Sequence, residues 1–166
     1  TIKEFIEFFK QIPLLLVEKG FTISNIREVI ECNPTDFVFI DHLQMIEKSY
    51  DERKSIDEYV RGLKQICMLR NIGIILLSQV NRMTAQRSDN KPLLEDLHGS
   101  GSIEQISDVV MLLYRDWNYK QKEGNFNDFE VNIVKHRHGL GGKIKLHFEP
   151  QFCNFKSYLN GDEIKK

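Results

Sequence analysis

No apolar run in the 166-residue chain approaches the roughly 20 residues of a membrane-spanning helix, and its start, Thr1-Ile2-Lys3-Glu4, lacks the apolar core of a signal peptide. A cytoplasmic chain with no membrane partner is expected. Cysteine is sparse: the three residues at 32, 67 and 153 are odd in number and form no CxxC pair, which argues against a disulfide framework or a zinc knuckle. Charge of one sign is missing too, because 23 Lys and Arg nearly cancel 24 Asp and Glu to leave a net −1. Broad electrostatic adhesion to nucleic acid or anionic lipid is therefore not indicated, and any anion site must be local. A nucleotide-cradling GxxxxGK[ST] loop is absent, since Gly142-Lys143 is followed by Ile144, and so is a GxSxG elbow. With no repeat, low-complexity tract or linker, residues 1–166 read as one unit, and 41% hydrophobic with 28% charged residues suits a folded domain.

What is present is an alternation of helical and strand patterns. Ile2, Phe5, Ile6 and Phe9 predict an amphipathic helix over 2–11 that stops before Pro13, and residues 14–17 predict a short buried strand. Thr22 can cap a helix over 24–32. Phe37-Val38-Phe39-Ile40, ending abruptly on Asp41, has the pattern of a central parallel strand covered on both faces. Ile56, Tyr59, Val60, Leu63, Ile66 and Cys67 trace one stripe of a long helix over 53–71, and Ile74-Ile75-Leu76-Leu77 is a second apolar strand, so a βαβ unit is expected. Residues 81–92 are polar and aperiodic, the composition of a long working loop. A short helix over 102–106 and a third apolar strand over 109–114 follow. Segments 129–138, 143–148 and 152–158 alternate apolar and polar residues between turn signals and predict antiparallel hairpins. The expected class is α/β, a mostly parallel sheet flanked by helices with antiparallel strands at the C-terminal end.

Ligands of open α/β sheets collect at the carboxyl ends of the strands, where Asp41 and Gln79 stand. An Asp there can hold Mg²⁺ through water beside a nucleotide, or simply open a loop. Gln79 can hydrogen-bond a phosphate, orient a water or anchor the chain. Lys135 and Arg137 share one face of a predicted strand and want an anion partner; pushed outward, they can act as an arginine finger or blunt a sheet edge. His136 and His138 share the other face, yet no third metal ligand lies in range. Ser100-Gly101-Ser102 opens a short helix whose backbone N–H groups suit a phosphate.

Taken in order, the segments resemble the RecA-like motor domain of the DnaB-type replicative helicases over residues 13–158. Ile40-Asp41-His42-Leu43-Gln44-Met45 is similar to that family's Walker B segment, with histidine where tyrosine is usual. Leu77-Ser78-Gln79-Val80-Asn81-Arg82 resembles the next motif, and Asp96-Leu97-His98-Gly99-Ser100-Gly101-Ser102-Ile103-Glu104-Gln105-Ile106-Ser107-Asp108 resembles the DNA-facing motif. Tyr114-Arg115-Asp116 and Lys135-His136-Arg137-His138-Gly139 complete the order. His98-Gly99 departs from the Arg-Glu usual in the family.

The resemblance implies roles. Asp41 would hold Mg²⁺ of bound ATP through water, and Gln79 would sense the γ-phosphate and pass its state to the DNA-facing loop. Lys135 and Arg137 would reach the nucleotide of a neighbouring subunit, which implies a homo-oligomeric ring, expected to be a hexamer. His98, Gly99, Ser100 and Gly101 would lie along single-stranded DNA, with Arg82 and Arg87 as further contacts. Primase and a helicase loader are the partners such a motor implies. In the family the phosphate loop and the water-activating glutamate precede the region matching Thr1, so the chain reads as the C-terminal portion of a motor domain, inactive alone. Another RecA-family recombination ATPase, and a noncatalytic binding or assembly module of the same fold, are the alternatives.

Overall fold

The computed structural model describes residues 13–18, 22–46, 52–81, 87, 90–97, 100–115 and 126–157, together with positions 3, 7 and 11. Lys3, Glu7 and Gln11 are helical and exposed, while the apolar positions of the helix expected over 2–11 lie outside the described residues.

Helix α1 (Ile23–Cys32) starts where the sequence indicates: the Thr22 hydroxyl accepts from the Asn25 N–H at 3.2 Å, satisfying one orphan donor of the first turn. Asn33 closes it, its backbone and side-chain N–H groups both donating to the Val29 carbonyl. Strand β1 (Phe37–Ile40), helix α2 (Glu52–Arg70) and strand β2 (Gly73–Leu76) follow, with β1 and β2 parallel in the register Phe37 to Gly73 through Ile40 to Leu76. Helix α2 buries the expected stripe of Ile56, Tyr59, Val60, Leu63 and Ile66. It ends as Asn71 enters the left-handed region at φ 52°, a conformation asparagine tolerates better than most residues and one common just past a helix.

Helix α3 (Ser100–Ile106) leads into β3 (Val109–Tyr114), β4 (Asp128–His136), β5 (Gly142–Glu149) and β6 (Asn154–Ser157). These four strands form an antiparallel sheet in chain order. The tight turn between β4 and β5 needs glycine at 141, because a Cβ there would stand 2.6 Å from the Ile133 carbonyl oxygen. Phe129, Phe148 and Phe155 pack on one face of this sheet, and the Arg115 guanidinium sits 4.8 Å from the Phe148 ring centroid.

The fold is α/β with a parallel pair and an antiparallel sheet, and four of its details correct the expectations. Residues 14–17 form no strand: Leu14, Leu15, Leu16 and Val17 are exposed, and no described strand offers them backbone partners. Strands β1 and β2 are not covered on both faces, since Phe37 and Phe39 are 62% and 69% exposed beside exposed Ile75. Strand β3 joins the antiparallel sheet through β4, and its apolar run splits by side into buried Val110, Leu112 and Tyr114 and exposed Val109, Met111 and Leu113. Phe152 closes a 3₁₀ turn (Pro150–Phe152) before β6 begins. A continuous apolar run identifies a strand, but covering its faces requires other elements. Both sheets nevertheless share one core, in which Ile40 of β1 and Val110 and Leu112 of β3 cluster with Leu43, with Ile56, Tyr59, Val60 and Leu63 of α2, and with Leu97 and Ile103.

Candidate functional site

The parallel register of β1 and β2 brings Asp41 and Gln79 out at the same sheet edge. The Leu77 N–H donates to the Ile40 carbonyl at 2.9 Å, and the Leu43 N–H donates to the Leu77 carbonyl at 2.8 Å, so the two strand ends stay laced beyond the ladder. Leu43 is fully buried and pins the turn. Gln44 fastens the second strand to the first: its Oε1 accepts from the Gln79 N–H at 3.2 Å, and its Nε2 lies 3.3 Å from both the Ser78 hydroxyl and the Gln79 carbonyl.

Between the two expected residues stands a third. His42 Nδ1 is 3.3 Å from Asp41 Oδ1, and His42 Nε2 is 3.2 Å from Gln79 Nε2. In the sequence His42 stands out only for replacing tyrosine, and Gln44 has no assigned role. A polar residue on each side of buried Leu43 was the available signal.

The Asp41 carboxylate is 76% exposed at the strand end, and no group of three His, Cys, Asp or Glu side chains converges to hold a metal among the described residues. One exposed hard-oxygen ligand at such an edge fits a cation that keeps most of its waters and takes its other ligands from phosphate, the habit of Mg²⁺. It does not resemble a cage built wholly from protein.

Gln79 is also tied to the segment that precedes residues 98–101. The Asn81 N–H donates to the Asp96 carbonyl at 2.8 Å, and Val80 pairs antiparallel with Leu97. His98, Gly99 and Arg82 lie outside the described residues. Ser100 and Gly101 open α3, and the space around the missing Cβ of Gly101 is open to 4 Å. Arg87 is held by the carboxylate of Asp96, at 2.6 and 2.7 Å through two nitrogens, with Glu95 at 3.4 Å. Its geometry is that of a loop anchor.

Lys135 and Arg137 do converge, though not by projecting outward. Strand β4 ends at His136, and the Arg137 N–H donates to the Asp108 carbonyl. Lys135 Nζ donates to the Glu104 and Gln105 carbonyls, and Arg137 donates to the Gln105 carbonyl at 3.1 Å and to Asp108 Oδ1 at 2.8 Å. Two cations thus sit at the C-terminal end of α3, where unpaired carbonyls and the helix dipole favour positive charge. Asp108 also takes Lys64 of α2 at 2.5 Å, and that hydrogen bond is the main reason its carboxyl is held below the usual range.

Residues 2–157 match the family model of the DnaB-like helicase C terminal domain. The chain is 34% identical over 175 residues to the replicative DNA helicase DnaB of Rickettsia typhi, across 93% of this chain and 35% of that protein. It is 38% identical over 122 residues to the replicative DNA helicase DnaC of Bacillus subtilis, across 71% of this chain and 27% of that protein. Among solved structures, an ATPase domain superposes with a TM-score of 0.73 at 36% identity, covering 82% of this chain and 50% of that one. A DnaB-like replicative helicase, solved with a view to its interactions with primase, gives a TM-score of 0.70 at 36% identity, covering 80% of this chain and 33% of that one. The chain spans about a third of the length of the curated relatives it matches.

Proposed function

The chain belongs to the DnaB-like helicase C terminal domain family, and from that membership we propose that it is part of a replicative helicase motor that couples ATP hydrolysis to movement along single-stranded DNA and to duplex unwinding. The observation that carries the reading is that Asp41 and Gln79 come out at one sheet edge, with the chain beyond Gln79 hydrogen-bonded onward to the segment that leads to residues 98–101. Asp41 would hold the waters of Mg²⁺. When bound, Mg²⁺-ATP supplies the phosphoryl group and the charge neutralisation that lets it transfer. Gln79 would hydrogen-bond the terminal phosphate and, through Val80 and Asn81, shift the Asp96-Leu97 segment beside the DNA-facing loop. Backbone N–H groups at Ser100 and Gly101 are suited to a DNA phosphate, because the start of a helix offers unpaired donors to anions.

Lys135 and Arg137 would act across a subunit boundary, in a homo-oligomeric ring of six, on charge that builds during phosphoryl transfer. Single-stranded DNA and primase are the partners that follow, in the cytoplasm.

The test is made in the full-length protein. Asp41→Ala should lower ATP turnover by at least about 100-fold. Gln79→Ala should bind nucleotide but lose its stimulation by single-stranded DNA. Normal DNA-stimulated turnover in Asp41→Ala would overturn the reading.

A further inference from the structure

His42 bridges Asp41 and Gln79, with one ring nitrogen toward each. His42 Nδ1 stands 3.3 Å from Asp41 Oδ1, within ion-pair reach of the carboxylate. His42 Nε2 is hydrogen-bonded at 3.2 Å to the side-chain amide of Gln79. One ring therefore touches both residues of the strand ends, the carboxylate on one side and the amide on the other. The ring cannot drift from this position cheaply. Its side chain is 27% exposed, and the next residue, Leu43, is fully buried with its N–H held by the Leu77 carbonyl.

We propose that His42 is a positioning residue that couples the orientation of Asp41 to that of Gln79, so that the two ends of the nucleotide edge move as one unit. Without the ring, the exposed Asp41 carboxylate is free to rotate away from the metal waters. Gln79 would then keep its backbone ties to Gln44 but lose the contact that aims its amide. The inference rests on the nucleotide roles proposed above for Asp41 and Gln79.

The experiment uses the full-length protein and three variants. His42→Phe keeps a ring and removes both ring nitrogens. His42→Asn keeps an N–H near the place of Nδ1 but cannot reach Gln79. His42→Ala removes the side chain. The readouts are kcat and KM for ATP with and without single-stranded DNA, and the binding of fluorescent ADP titrated with Mg²⁺, which needs no turnover. Removing a partner that orients a metal ligand typically costs 10-fold to 100-fold. His42→Phe and His42→Ala should therefore lower DNA-stimulated kcat about 10-fold with KM for ATP changed less than about twofold, and raise the Mg²⁺ needed for half-maximal ADP binding about 10-fold. His42→Asn should recover the Mg²⁺ dependence without recovering the DNA stimulation. Combined with Gln79→Ala, His42→Phe should cost no further stimulation, because one residue acts through the other. Wild-type values for His42→Phe in both assays would overturn the proposal, and so would losses that multiply in the double variant. If Asp41→Ala and Gln79→Ala are damaging while His42→Phe is not, only this coupling fails. If those two are harmless, the functional reading fails with it.

Discussion

Arg87 and Asp96 form a two-pronged ion pair, with the guanidinium nitrogens 2.6 and 2.7 Å from the two carboxylate oxygens. Asp96 is 6% exposed and also accepts from the Leu93 N–H at 2.7 Å, whereas the Arg87 side chain is 31% exposed. The pair therefore fastens the polar loop after β2 onto a buried acid that sits directly across from Asn81.

Truncating the arginine removes the two-pronged partner of that buried carboxylate. Arg87→Ala should lower stability by about 2 to 3 kcal/mol, toward the low end for a broken buried pair because the arginine is partly in water. Arg87→Lys should recover only part of this, since an ammonium cannot match the two-pronged geometry. Denaturant midpoints at constant slope are the measurement. A loss under about 0.5 kcal/mol for Arg87→Ala would mean that the loop is held by other contacts.

Tyr59 offers the opposite case. It is 6% exposed in the α2 stripe, and its hydroxyl has no hydrogen-bond partner among the described residues. Burial pushes its pKa from the ordinary 10.0 up to about 12. Tyr59→Phe should be neutral or stabilising by about 1 kcal/mol near neutral pH, as it removes an unsatisfied group of nearly the same shape. The sign in alkali follows from the raised value. The unfolded chain loses its phenol proton first, so this residue's contribution is intact below 10.0 and declines as the pH rises toward about 12. Phenylalanine should remove that decline, read as unfolding free energy against pH.

These two residues show what the sequence made legible and what it did not. Tyr59 fell on the helical stripe by its spacing, as did every other buried residue of α2, because a 3.6-residue period needs only the local chain. The end of β1 at Asp41 and the cap at Thr22 were readable for the same reason. The pairing of Arg87 with Asp96 was not: nine positions separate them in a polar loop with no period, and nothing local separates a loop arginine held by a buried acid from one free for phosphate. His42 was hidden differently. Its role depends on the parallel register that sets Gln79 beside it, which is a property of two strands rather than of one. The uncovered faces of β1 and β2 are likewise tertiary facts that their apolar runs could not announce.

Asp108 ties three elements together, through Lys64 of α2 at 2.5 Å, Arg137 at 2.8 Å and its own place between α3 and β3. The Lys64 hydrogen bond chiefly holds its carboxyl below the ordinary 3.8. A depressed pKa means that the contribution is present above the unfolded value and is lost as the pH falls through the folded one. Asp108→Asn should therefore flatten the acid limb of stability below about pH 4. At neutral pH it should cost about 0.5 to 1 kcal/mol, limited because the carboxylate is half exposed and screened. Thermal midpoints measured down the acid range decide it, and an unchanged acid limb would mean that the ties contribute nothing net.

Arg137 carries the prediction with the widest reach, because it is bound to its own chain and is also proposed to serve a neighbour. Its guanidinium meets the Gln105 carbonyl and Asp108 at the C-terminal end of α3, the helix that begins at Ser100. In the full-length protein, Arg137→Ala should abolish DNA-stimulated ATPase while nucleotide affinity changes little, since a finger acts on charge that develops only in the transition state. Asp108→Asn removes one of the intrachain ties but keeps the guanidinium, so it should retain most of the activity. That contrast separates a loss of the cation from a loosening of the helix end. Mixing Arg137→Ala subunits with Asp41→Ala subunits provides the second separation. A mixed ring contains interfaces in which an intact Asp41 faces an intact Arg137, and these should restore part of the turnover that neither variant has alone. Failure of every mixing ratio to recover turnover, with mixed assembly verified by native mass spectrometry, would place the action of Arg137 within its own subunit, on the α3 carbonyls where it already lies.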